Sequence, residues 1–194
     1  MARITPLSKC FPASTVENDV RPIAITSSIS KIAESFINRW FNEHFKPHLD
    51  NNQFGCTANR STTHALLKLT DRWFQTSVKS SNVSRVLFVD FSKAFDLIDH
   101  NVLLQKFVDY QFPLHLAVWS LSFLRDRQQL VQIGNVKSNT QYSNSGTPQG
   151  TVSGPNDCKL LITDLTCIAD YAKFVDDTTI SSVSDDPYDD SLQK

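Results

Sequence analysis

The sequence lacks the features that mark several protein classes. No stretch reaches the roughly 18 consecutive apolar residues of a membrane span, and the N-terminus, MARITPLSKCFPAS, has no apolar signal-peptide core. Internal repeats and low-complexity tracts are also missing. The cysteines form no C-x-x-C pair, which argues against a zinc site or a disulfide framework and indicates reduced thiols (Cys10, Cys56, Cys158 and Cys167). We therefore expect an intracellular protein with no membrane segment.

What is present is a globular composition with an uneven distribution of charge. Hydrophobic residues make up 40% of the 194 positions and aromatic residues 10%, which indicates one substantial core. Residues 1–137 carry 16 Lys/Arg against 11 Asp/Glu, whereas residues 138–194 carry 3 against 9. Such a division suits a site where cations lie between carboxylates and a polyanion. An ordinary protein with an acidic tail has the same pattern, so charge alone leaves both interpretations open.

Apolar periodicity predicts an α+β fold. Helical spacing predicts a first helix that begins near Ser27 or Ser28 and stops at Pro47, followed by a second helix over STTHALLKLTDRWFQTSVK. The continuous apolar run 84–91 predicts a central strand buried on both faces. The later patterns predict, in order, a helix capped by Asp99, a helix opened by Pro113, a hairpin around Gly134-Asn135, a loop over GTPQGTVSGP, a helix over 156–165 and a closing hairpin over 171–183. This order is typical of a small sheet backed by helices on one face.

Three carboxylates stand out from this pattern. Asp176 and Asp177 interrupt the closing hairpin in KFVDDTTI, and Asp90 ends the most apolar strand, where an unpaired carboxylate is costly. An ordinary turn also explains the pair, since Asp is a common turn residue. If the strand ends are neighbours, the three carboxylates converge, and a divalent cation relieves their repulsion. Oxygen-only ligands favour Mg²⁺, and two such ions serve phosphoryl transfer.

Three motifs occur in an order and at a spacing that resemble those of reverse transcriptases: VLFVDFSKAFDLIDHNVLL, GTPQGTVSGP and KFVDDTT. Three further stretches resemble other segments of the same family: RPIAITSSISKIAESFINRW, QFGCTANRSTTHALL and WSLSFLRDRQQLVQIG. The detail is most similar to jockey-like enzymes of LINE-type (non-long-terminal-repeat) retrotransposons, and the resemblance covers residues 18–183. It implies a right-hand polymerase fold of the α+β class, with fingers and a small antiparallel palm sheet backed by helices, and with the thumb absent.

The resemblance also implies an activity and a metal site. The activity is RNA-directed DNA polymerisation, in which two-metal nucleotidyl transfer joins a dNTP to a primer 3′-hydroxyl. Asp90 and Asp176 match the metal ligands, and Asp177 matches the third acid of the triad. Phe91 matches the residue whose backbone carbonyl also binds metal. The implied cofactors are two Mg²⁺ ions, with Mn²⁺ as a substitute.

Five further residues are implied to handle substrates. Arg21 matches the fingers arginine that binds the incoming triphosphate. Phe95 matches an aromatic steric gate that leaves no room for a 2′-hydroxyl, although an ordinary core aromatic fits the same position. Gln149 and Gly150 match the loop that packs against the nucleotide and template. Arg60 matches a basic position near the template and primer, and an exposed structural arginine is its alternative.

The implied partners are an RNA template, a DNA primer and dNTPs, and the implied location is the nucleus and cytoplasm. We expect residues 1–17 to be a partly disordered N-terminal extension and residues 18–183 to form the fingers and palm. Residues 184–194 are expected to form an acidic tail that includes Asp185-Asp186 and Asp189-Asp190. The thumb and any endonuclease region are expected only in a full-length element.

Three alternatives compete with an active polymerase. The first is an inactive retroelement remnant, or a nucleic-acid-binding module with the same fold. A receiver-type phosphoacceptor domain uses similar acids, but its acidic pair precedes the acceptor, which is the reverse of the order in this chain. A two-metal nuclease shares the metals, but has no role for Phe95 or for the Pro-Gln-Gly loop.

Overall fold

A computed structural model describes residues 1–78 and 83–184 and divides the chain into two compact units. The first unit comprises residues 1–47 and 93–161, and the second comprises residues 48–92 and 162–194. The predicted acidic tail, apart from Ser184, lies outside the described residues. Among the residues described, there is no helix with the length and apolarity to cross a membrane.

The first unit contains a five-stranded mixed sheet. Strand β1 (Ala2–Ser8) pairs antiparallel with β2 (Val20–Ile25), and a four-residue helix, α1 (Val16–Asp19), lies between them in the chain. On its other side β1 pairs parallel with β4 (Arg127–Ile133), which also pairs with β5 (Val136–Lys137) and β6 (Gln141–Ser143).

The expectation that residues 1–17 form a partly disordered extension is therefore wrong for β1. Ala2 and Ile4 are buried in the sheet, two apolar residues at the period of a strand. Two inward residues are too few to show the period of a strand in the sequence. The partner strand β4 lies more than 120 positions away, so the pairing leaves no local signal either.

The helices of the first unit follow the predicted starts. Helix α2 (Ser28–Phe45) begins after Ser27, whose hydroxyl accepts the Ser30 N–H, and a 3₁₀ turn follows it. Asp99 caps α4 (His100–Asp109), and α5 (Leu114–Leu124) begins after Pro113. Helix α6 (Gly154–Ile162) begins two residues before the predicted 156–165 range and ends three residues before its end.

Aromatic packing forms the centre of the first unit. Phe41 and Phe45 of α2 meet Phe107 of α4 and Phe112 of the following loop, with ring centroids 4.8–6.0 Å apart. Tilted and edge-to-face pairs at this spacing add to the apolar area that the rings bury. The helical spacing of phenylalanine in the sequence therefore corresponds to a helix–helix core.

The second unit contains a three-stranded antiparallel sheet in the order β3-β8-β7, together with helix α3 (Thr62–Ser77). Strand β3 (Val83–Val89) pairs with β8 (Asp177–Ser184), which in turn pairs with β7 (Asp170–Phe174) as the predicted closing hairpin. Ala65 and Leu69 of α3 are buried, and the helix packs against β3 and β7.

The prediction that residues 84–91 form a central strand buried on both faces is wrong. Strand β3 lies at an edge of the described sheet, and Leu87 and Phe88, which point to opposite faces, are 42% and 73% exposed. A continuous apolar run is consistent with a doubly covered strand, but it does not report what covers each face.

Candidate active site

The turn that carries Asp176 is a two-residue hairpin loop. The last pair of the β7–β8 ladder is Phe174 with Asp177, so Val175 and Asp176 form the loop itself. Val175 has φ +61°, a left-handed conformation that a β-branched residue rarely adopts. Two-residue hairpin loops usually place Asn or Gly at such positions. The acidic turn is therefore a strained structure that needs support from the surrounding chain.

The three acids predicted as a triad lie at one end of this sheet. The β3–β8 ladder ends with Val89 opposite Thr178, so Asp90 follows one residue beyond it, level with Asp177. Partial burial raises the pKa of Asp176, and the negative charges of Asp177 and Asp90 act in the same direction. The structure thus brings the three predicted acids within electrostatic reach of one another.

These carboxylates are chemically suited to a hard divalent cation. Their oxygens are the donors that Mg²⁺ prefers, and a bound cation relieves the repulsion that Asp177 and Asp90 add to the effect of burial on the pKa of Asp176. Within the described ranges, no group of three or more His, Cys, Asp or Glu side chains is arranged so that it could hold a metal ion. Phe91, whose carbonyl is the other implied ligand, follows Asp90 directly and is 37% exposed. The donor set therefore fits the ion in chemical type, and metal binding remains a prediction.

A segment of the second unit, residues 50–55, runs alongside β7 and the acidic turn. The Lys173 N–H donates to the Asn52 carbonyl, and the Phe54 N–H donates to the Lys173 carbonyl, both at 2.8 Å. Gln53 forms a parallel bridge with Lys173 and directs its side-chain amide at Val175. We refer to residues 50–55 as the support segment.

Gln53 is a residue at the acidic turn that the sequence alone does not single out. It stands inside QFGCTANRSTTHALL, a stretch that resembles a segment of the family but contains no pattern that predicts a role for Gln53. The one feature of the sequence that could have pointed to Gln53 is its place in a stretch that resembles the family. The contact with Val175 joins residues 122 positions apart, so periodicity and spacing carry no information about it.

A buried ion pair fixes the support segment to β7. Lys173 Nζ lies 2.7 Å from Asp50 Oδ2, the lysine side chain is fully buried, and Nζ also donates to the Ile162 carbonyl at 2.8 Å. Burial acts to raise the pKa of Asp50, but hydrogen bonds and the charge of Lys173 outweigh it and lower the pKa below its ordinary value. The contacts with Lys173 therefore favour the carboxylate form of Asp50.

In the first unit, the predicted Pro-Gln-Gly loop is attached to β2. The Ala24 N–H donates to the Gln149 carbonyl at 2.7 Å, and Ile23 forms a parallel bridge with Gln149. Gly150 has φ +92°, and a Cβ at this position would lie 3.1 Å from the Ile23 side chain. The positive φ favours glycine here, and the close approach leaves little room for a side chain.

The same loop is attached to the turn that contains Phe95. The Thr147 N–H donates to the Phe95 carbonyl at 2.8 Å, and Gln149 Nε2 donates to the Asp96 carboxylate at 3.1 Å. The ring of Phe95 is half-buried. The structure therefore places three of the predicted substrate-handling residues, Phe95, Gln149 and Gly150, around one loop, and their contacts with nucleotide remain predictions.

The two predicted basic residues occupy different environments. Arg21 is exposed on β2, two positions before Ile23 and on the same face of the strand. In the second unit, Arg60 Nη1 donates to the carbonyls of Asn51 and Gln53 at 2.7 and 2.8 Å. Arg60 thus stabilises the support segment, and its predicted contact with template or primer is not tested by these bonds.

Comparisons with known proteins identify the family of the chain. Residues 12–194 match the family described as Reverse transcriptase (RNA-dependent DNA polymerase). The chain is 30% identical over 169 residues to the probable RNA-directed DNA polymerase from transposon BS of Drosophila melanogaster, covering 86% of this chain and 18% of that protein. It is 27% identical over 166 residues to the RNA-directed DNA polymerase from mobile element jockey of the same species, with 84% and 18% covered. The chain thus spans less than a fifth of the length of these relatives.

Solved structures show the same fold at low sequence identity. Apo telomerase from Candida tropicalis, truncated from its C-terminal domain, matches with a TM-score of 0.60 at 12% identity, over 90% of this chain and 43% of that one. Telomerase from Candida albicans in complex with a fragment of telomeric RNA matches with a TM-score of 0.59 at 8% identity, over 100% and 38%. These matches support the right-hand polymerase fold, and the chain belongs to the reverse transcriptase (RNA-dependent DNA polymerase) family, with relatives among non-long-terminal-repeat retrotransposons.

Proposed function

We propose that this chain is the fingers-palm part of a retrotransposon RNA-directed DNA polymerase, which acts within a longer protein. The observation that carries the proposal is the location of Asp90, Asp176 and Asp177 at one end of the antiparallel sheet, with Asp176 on a supported turn. The reaction is attack of a primer 3′-hydroxyl on the α-phosphate of a dNTP, with pyrophosphate as the leaving group. No protein nucleophile is needed for this chemistry.

The second unit supplies the metal-binding groups in this proposal. Asp90, the Phe91 carbonyl, Asp176 and Asp177 hold two Mg²⁺ ions, for which Mn²⁺ is a substitute. When bound, the ions supply activation of the attacking oxygen and stabilisation of charge on the leaving group. The residues themselves hold negative charge at the end of the sheet, where burial, together with the charges of Asp177 and Asp90, raises the pKa of Asp176.

The first unit supplies the groups that bind the incoming nucleotide. Arg21, exposed on β2, pairs with the triphosphate, because a guanidinium matches phosphate oxygens in charge and geometry. Phe95 excludes the 2′-hydroxyl, and Gln149 and Gly150 form the loop surface against the nucleotide and template. Arg60 of the second unit lies near the template or primer. These roles rest on the family resemblance and on the accessibility of each residue.

The proposal includes an RNA template, a DNA primer and dNTPs as partners. The excess of Lys/Arg over Asp/Glu in residues 1–137 favours contact with a polyanion. A nuclear and cytoplasmic location follows from the same proposal, because the template is an RNA and the product is joined to DNA.

Primer extension on an RNA template, with increasing Mg²⁺ or Mn²⁺, tests the activity. We expect extension by the wild-type chain and its loss, by about 1,000-fold or more, in Asp176→Ala. Asp71→Ala is the matched control, because Asp71 is an exposed residue of α3 that contacts Gln75 four positions along the same helix. If the folded wild-type chain extends no primer at any metal concentration, the proposal of polymerase activity fails for this chain on its own.

A further inference from the structure

We propose that Gln53 is a positioning residue, which holds the turn carrying Asp176 in its left-handed conformation. The inference rests on the proposed polymerase function and adds a residue to it. The Gln53 side chain is 2% exposed. Its Nε2 donates to the Val175 carbonyl at 3.0 Å, and its Oε1 accepts the Val175 N–H at 2.9 Å. One amide side chain therefore binds both backbone polar groups of a single residue.

These two bonds satisfy groups that the hairpin leaves unpaired. The last ladder pair is Phe174 with Asp177, so Val175 lies outside the strand pairing. Val175 is also buried, so solvent cannot take the place of a protein partner. Without Gln53, both the N–H and the carbonyl of Val175 would need new partners, and the turn would have to change conformation to find them.

The conformation of Val175 makes that support specific. Valine at φ +61° is disfavoured because its branched Cβ crowds the backbone, and such conformations persist only where the surroundings over-determine them. Gln53 supplies that constraint one residue before Asp176. A change in the Val175 dihedral angles would redirect the next peptide and, with it, the Asp176 carboxylate.

Gly55 allows the support segment to approach this closely. A Cβ on Gly55 would lie 2.2 Å from the Val175 nitrogen and 2.7 Å from the Phe174 carbonyl carbon, which no side chain can accommodate. The Gly55 N–H also donates to Gln53 Oε1 at 2.8 Å. That third bond orients the amide so that its oxygen faces the Val175 N–H and its nitrogen faces the carbonyl.

The arrangement requires an amide at position 53. Glutamine offers a donor and an acceptor on one planar group, whereas a glutamate carboxylate can only accept. In Gln53→Glu the bond to the Val175 carbonyl is lost, and a negative charge is added near Asp176. In Gln53→Met both bonds to Val175 and the bond from the Gly55 N–H are lost while the length of the side chain is kept. The two variants therefore separate the loss of hydrogen bonds from the gain of charge.

The direct test is hydrogen exchange of the Val175 amide in the full chain. We expect exchange to be faster by about tenfold or more in Gln53→Met, because a buried hydrogen bond to this N–H is lost. Gln75→Met is the control, since Gln75 is exposed on α3 and its amide donates only within that helix, to Asp71. Unchanged exchange at Val175 in a folded Gln53→Met protein would overturn the inference.

The second test concerns the position of Asp176. We expect Gln53→Met to lower the maximal rate of primer extension by about 100-fold, with little change in the affinity for primer–template, because a small displacement of a reacting group has this effect. Mn²⁺ titration provides a second measure, since paramagnetic broadening of the Asp176 and Asp177 amides should require a higher concentration. Equal rates and equal broadening in the variant would contradict the proposal.

A rescue variant distinguishes positioning from general stability. Glycine adopts positive φ without strain, so Val175→Gly should restore Mn²⁺ broadening and extension in Gln53→Met, although it removes packing and lowers the melting temperature further. If Gln53 only stabilises the fold, adding Val175→Gly to Gln53→Met should instead lower both Mn²⁺ broadening and primer extension further. If wild-type protein extends no primer, the polymerase proposal fails for this chain, while amide exchange and Mn²⁺ broadening still decide the role of Gln53. If Gln53→Met does not fold, the comparison of Gln53→Glu with Gln53→Glu/Val175→Gly gives the same decision.

Discussion

The Glu34 carboxylate of helix α2 accepts a hydrogen bond from the Val152 N–H at 2.7 Å, although the two residues are 118 positions apart. The same oxygen accepts weaker bonds from the Ser153 N–H and hydroxyl, at 3.4 and 3.5 Å. Glu34 is completely buried. A charged side chain is retained in the interior here because it satisfies backbone donors of the turn that follows the Pro-Gln-Gly loop.

We expect Glu34→Ala to lower the free energy of unfolding by about 3 kcal/mol, because it leaves buried N–H groups without an acceptor. Urea denaturation measures the change. Glu43→Ala is the control on the same helix, where the exposed pair with Arg39 contributes only about 0.5 kcal/mol. Equal losses in the two variants would show that the buried contacts carry no special weight.

Asp157 should make the stability of the first unit dependent on pH. Burial raises the pKa of Asp157 to about 7, with a contribution from the Glu34 charge, against hydrogen bonds donated by Thr147 and Ser120. The folded state therefore holds a proton that the unfolded state releases near the ordinary aspartate pKa of 3.8. It follows that the Asp157 contribution is fully present below the unfolded pKa and is lost as pH rises through about 7.

Urea denaturation at pH 5, 6, 7 and 8 measures this dependence. Asp157→Asn keeps the shape of the side chain and removes its titration. The free energy of unfolding of wild-type protein should fall by about 1 kcal/mol per pH unit as the pH rises toward 7, and the variant should lack this slope. Asp109→Asn, on the exposed end of α4, is the control and should keep the wild-type slope. A slope that survives in Asp157→Asn would assign the pH dependence to another group.

The buried pair of Asp50 and Lys173 should respond to mutation differently from an exposed pair. Asp50→Asn leaves the Lys173 ammonium buried without its counter-ion, and we expect a loss of about 3–5 kcal/mol. Asp170→Asn breaks the half-exposed contact with Arg72 at the same N···O distance, 2.7 Å, and should cost about 1 kcal/mol or less. Chemical denaturation compares the two.

A double variant then tests whether the loss comes from the uncompensated charge. Asp50→Asn/Lys173→Met should recover part of the stability that Asp50→Asn loses, because no unpaired charge remains. If the loss of unfolding free energy in the double variant equals the sum of the losses in the two single variants, the two side chains do not act as a pair.

The steric-gate role of Phe95 predicts a change in sugar selectivity. Phe95→Val removes part of the ring and makes room beside the sugar, so incorporation of a ribonucleotide relative to the matching deoxynucleotide should rise by about tenfold to 100-fold. Single-nucleotide extension with each substrate measures the ratio. An unchanged ratio, with normal deoxynucleotide incorporation, would show that Phe95 is a half-buried packing residue and not a steric gate.

Local patterns in the sequence were sufficient for much of the fold. The caps at Ser27 and Asp99, the start of α5 after Pro113, and the hairpin ending in Phe174 and Asp177 all appear where the sequence predicts them. Each of these features depends on residues within a few positions of one another. Caps and turns need particular side chains at fixed offsets, so they can be read without knowledge of the fold.

Features that depend on distant partners could not be predicted in this way. Strand β1 is ordered through its pairing with β4, and the exposure of Phe88 depends on which elements cover its strand. The bond between Gln53 and Val175 likewise joins two separate parts of the second unit. The paired residues of β1 and β4, and likewise Gln53 and Val175, lie more than 120 positions apart, outside the range of any periodicity.

The sequence by itself determined the acidic residues, their order and the family to which they belong, because these are properties of residue type and spacing. Only the tertiary structure decided that Asp90 reaches the same sheet end as Asp176, through the register of β3 on β8. It also decided that a glutamine binds the backbone of Val175 and so supports the turn. A strained turn is stable only when distant groups meet its unpaired N–H and carbonyl, and those groups are brought together by folding.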